Sequence, residues 1–151
     1  MFLGFLSASE RSRRNLASAF IGEIVAAMGS VEDNAKIRRL SLQPFGSNEL
    51  PVDFSDFQLP KLTVYEANAG RLGVFNAPLP REIAYFYTRF AALPDRLRAL
   101  TAPSPASIED MRRKTQEALD DVSQTLQLGE DLLRSIKPFV SRRQPESISR
   151  A

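Results

Sequence analysis

Apolar residues recur at a helical spacing towards the C-terminal end of the chain, from Ser104 to Val140. Spacings of three and four residues are typical of an amphipathic helix that buries one side. The first apolar row of this stretch is Ile108, Met111, Ala118, Val122, Gly129, Leu132, Ile136 and Phe139. A second row runs beside it at Leu119, Leu126, Leu133 and Val140. The pattern predicts one long helix, with Ser104 as its N-cap and Pro105 at its first position.

The second row leaves two alternatives open. If Leu119, Leu126 and Leu133 are buried within the chain, the protein is a plain helical bundle. If they are exposed, they form a surface on which a partner or a second copy of the chain would bind.

A second stripe of the same kind occupies Leu16 to Ala35. Its helix begins at a capping box, Ser7 to Glu10, and we expect it to end near Leu40. Gly22 and Gly29 lie on or near the apolar face, where the missing side chain would let another helix approach closely.

The third stripe runs from Ile83 to Leu100. Pro94 falls inside it, lacks a backbone N–H and crowds the carbonyl four residues earlier, so we expect a kink or a break into two shorter helices. A short helix precedes this stripe. It is predicted to open with a capping box of Thr63 and Glu66 and to close at Gly73 in the left-handed conformation.

Residues 41–60 interrupt the helical pattern with several prolines and a glycine. The same segment carries three large apolar side chains, so we expect an ordered strap packed over the helices and not a free linker. The helix breakers are Pro44, Gly46, Pro51 and Pro60, and the large side chains are Phe45, Phe54 and Phe57.

Together these elements predict an all-α fold, an antiparallel helical bundle of three long helices plus one short helix, with the Pro/Phe-rich strap. Residues 104–140 and 83–100 should form an antiparallel hairpin, with 16–35 closing the core. We expect a single helical domain over 1–140 and a flexible polar tail over 141–151.

The residue types present limit the chemistry that the chain can perform. It contains neither cysteine nor histidine, which removes thiolate chemistry, most hydrolytic triads and most zinc sites. Adjacent carboxylates such as Asp120 and Asp121 diverge by about 100 degrees on a helix, so we expect them to be solvated. Glu117 and Asp121 lie one turn apart but would need another helix to hold a cation. We therefore predict no catalytic residues, no metal site and no cofactor.

Charge is nearly balanced along the chain. The formal net charge is +2, and although the isoelectric point is about 9.2, the cations are spread among carboxylates. This distribution favours a solvated surface of mixed sign, and nucleic acid is not an expected partner.

The N-terminus is apolar over residues 1–6 and then basic from Arg11 to Arg14. Six residues are too few to cross a bilayer, which needs about twenty. The apolar-then-basic order fits a membrane-proximal foot, and the alternative is a frayed or core-docked end. The first reading predicts a cytoplasmic protein at the inner face of the membrane.

All three tyrosines of the chain lie close together in sequence, beside polar and basic residues. Such amphipathic aromatic surfaces favour recognition. The alternatives are a protein contact, a small-ligand pocket, or rings half-buried in a structural role. The candidate residues are Tyr65, Glu66, Asn68, Arg71, Tyr85, Tyr87 and Arg89.

Short patches of the chain resemble a set of uncharacterised small bacterial proteins. The patches are Arg14 to Ala19, Gly22 to Ile24, Val64 to Asn68, Arg71 to Gly73 and Ile83 to Tyr87. The resemblance implies a single N-terminal transmembrane helix followed by a cytoplasmic helical domain, and it implies no activity. This chain departs from that pattern because its transmembrane helix is missing or reduced to residues 1–6.

Two functional hypotheses follow. The first is a soluble, non-catalytic interaction or scaffold domain that binds a protein partner or itself, associated with a membrane or a larger assembly. The alternative is a small-ligand sensor with a pocket between the Tyr65 to Arg71 segment and the Tyr85 to Arg89 helix.

Overall fold

The computed structural model describes residues 7–42, 52–101 and 107–141, and within these ranges the chain is helical and contains no β-strand. The predicted all-α fold is confirmed. The α-helices in these ranges are α1 (Ala8–Glu32), α2 (Ala35–Leu42), α3 (Thr63–Asn68), α4 (Leu79–Thr101) and α5 (Ile108–Ile136). Two short 3₁₀ helices, Ala69–Val74 and Lys137–Phe139, follow α3 and α5.

Several predicted features lie outside the described residues. These are the N-terminal foot at 1–6, the first part of the strap with Pro44, Phe45, Gly46 and Pro51, the residues Ser104 and Pro105, and the tail from residue 142.

The core is built from the apolar stripes of α1, α4 and α5. Helices α4 and α5 pair along their length and run antiparallel, since the start of α4 lies beside the end of α5, while α1 packs against α5. Each fully buried large side chain stabilises the fold by about 1.5–3 kcal/mol relative to an exposed one. Fully buried members include Phe20, Ile24, Val31, Ile83, Phe90, Leu93, Leu97 and Ile136.

Helix α1 begins as predicted and ends earlier than predicted. The Ser7 hydroxyl accepts from the Glu10 N–H at 3.2 Å, and the Glu10 carboxylate accepts from the Ser7 N–H at 2.9 Å. The helix then stops at Glu32, and α2 starts after Asn34. The Asn34 side chain accepts from the N–H groups of Lys36 and Ile37 at 2.9 and 3.2 Å. Because Asn34 caps these N–H groups, a new helix begins after it, and the prediction of a single helix that continues to Leu40 was wrong.

The expected roles of Gly22 and Gly29 were also wrong. Among the described residues, no heavy atom other than the chain neighbours and the backbone of α1 itself lies within 4 Å of a Cβ built at either position, so neither glycine admits a neighbouring helix. Gly129 on α5 fills that role. A Cβ there would lie 2.5 Å from the sulfur of Met28 and 3.1 Å from the ring of Phe86.

The short helix α3 lacks the predicted capping box and the predicted glycine end. No side chain of its own N-terminus caps it, and Gly73 does not take a left-handed conformation. The chain instead tightens into the 3₁₀ helix and becomes extended at Phe75.

Helix α4 runs without interruption through Pro94, so the predicted break into two helices was wrong. Leu93 and Leu97 on either side of the proline are fully buried, and their packing holds both halves in one helix. The Arg89 carbonyl in the preceding turn accepts a hydrogen bond from the Arg96 guanidinium at 3.1 Å.

Helix α5 starts at Ile108 with Ser107 as its N-cap, three residues after the predicted start. Ile108 itself is 50% exposed, so the apolar row enters the core only further along the helix. Leu119, Leu126 and Leu133 are partly buried and pack against the core. The second row therefore matches neither alternative in full, because its leucines contribute to the core and keep part of their surface accessible.

The described part of the strap packs over the helices, as predicted. Phe54 and Phe57 are buried and meet edge to face, with ring centroids 5.6 Å apart. Arg98 of α4 donates to the Phe57 carbonyl at 3.0 Å, and Lys36 of α2 forms an ion pair with Asp56.

Candidate functional site

The predicted tyrosine cluster separates into two places. Tyr65 and Tyr87 stack face to face, with ring centroids 4.2 Å apart and planes 7° apart. Tyr87 is 1% exposed and also contacts Phe20, whereas Tyr85 is 55% exposed. Residues two apart on a helix point to nearly opposite sides, so Tyr85 and Tyr87 do not share a site.

Glu23 of α1 holds the N-terminus of α3 in place. Its two carboxylate oxygens accept from the backbone N–H groups of Val64 at 2.7 Å and Tyr65 at 3.0 Å. The first N–H groups of a helix have no partner within it, and the positive end of the helix dipole favours an anion there. Sequence reasoning missed Glu23 because its partners are 41 and 42 residues away.

The Tyr87 hydroxyl lies near this carboxylate. It is buried and makes no hydrogen bond within the described residues. Burial, and then the proximity of Glu23, raise the pKa of Tyr87 well above its usual range. This phenol therefore stays neutral, and its surroundings are those of a core residue.

Further hydrogen bonds join residues of the 63–74 segment to one another and to α1. The Asn68 amide donates to the Val64 carbonyl and accepts from Arg71, whose guanidinium also donates to Ser12 at 2.9 Å. Arg13 donates to the Val74 carbonyl at 2.7 Å. Glu66 is exposed. These hydrogen bonds hold the 63–74 segment against α1.

The outward side of the α4–α5 pair, called here the α4–α5 face, contains two concavities. One has a volume of about 220 Å³ and is named the Tyr85 concavity. It is lined by Glu82, Tyr85, Phe86, Leu128, Asp131, Leu132 and Ser135. The other has a volume of about 500 Å³ and is named the Arg96 concavity. It is lined by Arg96, Ala99, Leu100, Glu117, Asp120, Asp121 and Gln124.

An ion-pair network lines the Arg96 concavity and extends through Arg89 towards the Tyr85 concavity. Asp121 accepts from Arg89 at 3.0 Å and from Arg96 at 2.5 Å, and Arg89 also donates to Gln124 at 2.9 Å. The Asp121 side chain is only 11% exposed. The expectation that Asp121 is solvated was therefore wrong, while Asp120 is exposed as predicted. Because adjacent residues diverge on a helix, one carboxylate turns to the helix partner and the other to solvent.

The lining residues share one side of each helix because they recur at spacings of three, four or seven. Of this face, sequence reasoning identified Tyr85 and Arg89 as candidates and considered Glu117 and Asp121 only as a cation pair. It placed no residue of α5 beside Tyr85. The one sequence feature that pointed to this face was Leu128, an apolar residue that belongs to neither predicted row of α5. In the structure Leu128 is partly buried and lines the Tyr85 concavity.

The described residues contain no group of three or more carboxylates arranged to hold a metal ion. Glu117 pairs with Arg113 at 2.6 Å instead of sharing a cation with Asp121. None of the described helices is both long and apolar enough to cross a membrane.

Comparisons with protein-family models, curated proteins and solved structures found no match to this chain. The resemblance to small bacterial membrane-anchored proteins stays a prediction.

Proposed function

We propose that this chain is a non-catalytic helical interaction domain that binds a partner protein through the α4–α5 face. The observation that carries the proposal is Tyr85, an aromatic side chain 55% exposed beside a concavity with an apolar floor. Tyrosine is enriched among the residues that dominate binding energy at protein interfaces, because its ring is apolar and its hydroxyl is polar.

The fate of the other candidate residues supports this choice of surface. Tyr65 and Tyr87 are used in stacking, and Asn68 and Arg71 in local hydrogen bonds. The row of Leu119, Leu126 and Leu133 packs against the core. Tyr85 is the candidate whose ring remains largely accessible, and Phe86, Leu128 and Leu132 extend its apolar surface inwards.

Site-specific photo-crosslinking in the organism that makes the protein tests the proposal. A photoreactive phenylalanine analogue replaces Tyr85 in one variant and Ser18, on the exposed side of α1, in a matched control. We expect discrete protein adducts from position 85 and none of the same mass from position 18. Equal adduct patterns from both positions, or none from position 85, would remove the proposal.

A small-ligand sensor is the second candidate, and the Arg96 concavity is the observation that favours it. Its volume of about 500 Å³ falls within the range of about 300–1,000 Å³ that is usual for ligand pockets. It lies on the α4–α5 face, away from the Tyr65 segment where the pocket was expected. A thermal-shift screen of metabolites tests this candidate, with Ala99→Phe filling the concavity. Ligands that stabilise both proteins equally would rule out this pocket.

We also propose that residues 1–14 bring the domain to an anionic membrane surface. The apolar residues 1–6 and the exposed Arg11 support this, although Arg13 is engaged by the Val74 carbonyl. Flotation with vesicles containing about a third phosphatidylserine tests it, since anionic lipid attracts each nearby arginine by about 1 kcal/mol. Arg11→Glu should reduce the floating fraction. Wild-type protein that stays at the bottom of the gradient would contradict the proposal.

A further inference from the structure

We infer that the Tyr85 concavity receives the side chain of an arginine presented by a helix of the partner protein. This inference rests on the proposed function, because it names the chemistry of the partner for the same face. It is carried by the size of the concavity, its apolar walls and the charges at its rim.

The concavity is small and has an apolar interior. Its volume of about 220 Å³ is below the range of about 300–1,000 Å³ for small-molecule pockets. That space suits one long side chain. Leu128 and the exposed Tyr85 ring offer apolar surface to a hydrocarbon stem, above the buried side chains of Phe86 and Leu132. Long basic side chains bury such a stem and keep the charged head in a polar environment.

The charged groups that line the concavity are both carboxylates, Glu82 and Asp131. Within the described residues no cation pairs with Glu82. Asp131 pairs with Arg134 of its own helix and accepts from Gln127, and both bonds use Oδ1. The second carboxylate oxygen, Oδ2, makes no bond among the described residues. A cation entering the concavity would therefore meet acceptors that are still available.

Tyr85 makes arginine a better occupant than lysine. The planar guanidinium stacks on an aromatic face and binds a carboxylate with two parallel hydrogen bonds, and lysine does neither as well. The exposed Tyr85 ring and the Glu82 carboxylate lie one turn apart on α4, so one guanidinium can contact both.

A helix is the element that fits along this face. Two antiparallel helices form a groove, and an amphipathic helix placed in such a groove uses anchors at helical spacing. Arg89, which pairs with Asp121, follows Tyr85 by one turn of α4, so the concavity lies at a defined position along the groove.

Fluorescence anisotropy with designed peptides tests the inference. The probe is a labelled helical peptide of about 18 residues, or about 27 Å, with a leucine stripe and one central arginine. Matched peptides carry norleucine or glutamate at the central position. We expect the arginine peptide to bind about tenfold more tightly than the norleucine peptide, a difference of about 1.4 kcal/mol, and the glutamate peptide to bind most weakly.

Variants of the protein locate the effect. Glu82→Gln should weaken binding of the arginine peptide several-fold and leave the norleucine peptide unchanged. Tyr85→Ala should weaken both peptides. Glu32→Gln removes an exposed carboxylate at the end of α1 and is the matched control, expected to bind like wild type. All three changes are at exposed positions, and circular dichroism confirms that each variant is folded.

Failure of the inference is distinguishable from failure of the proposed function. Equal affinity for arginine and norleucine peptides, or no binding of any peptide, overturns the inference. The crosslinks from position 85 then decide the proposed function separately. Crosslinks from position 85 to an acidic partner segment would likewise overturn the inference while supporting the proposed function.

Discussion

At the scale of single residues, Gly129 shows how one missing side chain sets the spacing of helices. Met28 of α1 and Phe86 of α4 occupy the space where its Cβ would be. Gly22 lies on the exposed side of α1, and no described residue of another element comes within 4 Å of a Cβ built there. Both glycines lie inside a helix and have helical backbone conformation, so they differ only in how closely other side chains pack against them.

Alanine at these two glycines should have opposite effects on stability. Gly22→Ala is expected to raise the free energy of unfolding by about 1 kcal/mol through helix propensity. Gly129→Ala should lower it by about 1 kcal/mol, because overpacking costs about 1–3 kcal/mol and exceeds the same propensity gain. Urea denaturation measures both. A stabilised Gly129→Ala variant would show that Met28 moves aside without cost.

Tyr87 should make the protein less stable at high pH. Its raised pKa means that the folded protein keeps a proton which the unfolded chain loses above the ordinary tyrosine pKa of about 10. The free energy of unfolding therefore falls as pH rises through that value. Tyr87→Phe removes this contribution, so the fall between about pH 9 and pH 11 should be shallower than in wild type.

The control for this prediction is Tyr85→Phe, which removes an exposed phenol from the same helix. Urea denaturation across the pH range gives both profiles. The same change of slope in the two variants would contradict a special role for Tyr87.

At the scale of elements, α3 depends on a carboxylate from another helix. Glu23→Ala leaves the N–H groups of Val64 and Tyr65 without acceptors and should lower the free energy of unfolding by about 1–2 kcal/mol. Amide hydrogen exchange at those two residues should become faster. Glu66→Ala, on the exposed side of α3, is the control and should change neither quantity. Equal effects from the two variants would argue against capping by Glu23.

The α4–α5 pair is held by Asp121 as well as by apolar packing. Asp121→Asn leaves Arg89 and Arg96 partly buried with weaker partners, so the free energy of unfolding should fall by about 1–2 kcal/mol. Asp120→Asn changes the adjacent, exposed carboxylate and should stay within about 0.5 kcal/mol of wild type. Thermal or urea unfolding measures the stability of both variants. A larger loss of stability in Asp120→Asn than in Asp121→Asn would refute the role given to Asp121.

The apolar stripes predicted the three long helices and their buried sides, because periodicity records which face is inside. They did not predict the helix boundary at Asn34, where a side-chain cap competes with helix continuation. They did not predict continuity through Pro94 either, since burial of Leu93 and Leu97 outweighs the lost hydrogen bond. Long-range caps such as Glu23 have no local sequence signal at all.

At the scale of the whole molecule, most of the polar candidate residues make hydrogen bonds or ring contacts within the fold, and the recognition surface proposed here is the α4–α5 face. Tyr85 was predictable from the sequence as an aromatic candidate. Its neighbours were not, because Leu128 and Asp131 come from a helix more than forty positions later and meet Tyr85 only through antiparallel pairing. Proximity in sequence instead grouped Tyr85 with Tyr87, which faces the core.

The most direct test of the central claim is an amide chemical-shift map of the ¹⁵N-labelled chain titrated with the arginine peptide. The claim predicts that shifts cluster at residues 82–89 of α4 and 124–135 of α5, and that Tyr85→Ala reduces them at the same peptide concentration. Shifts centred on α1 or on the 63–74 segment, with residues 82–89 unmoved, would contradict it.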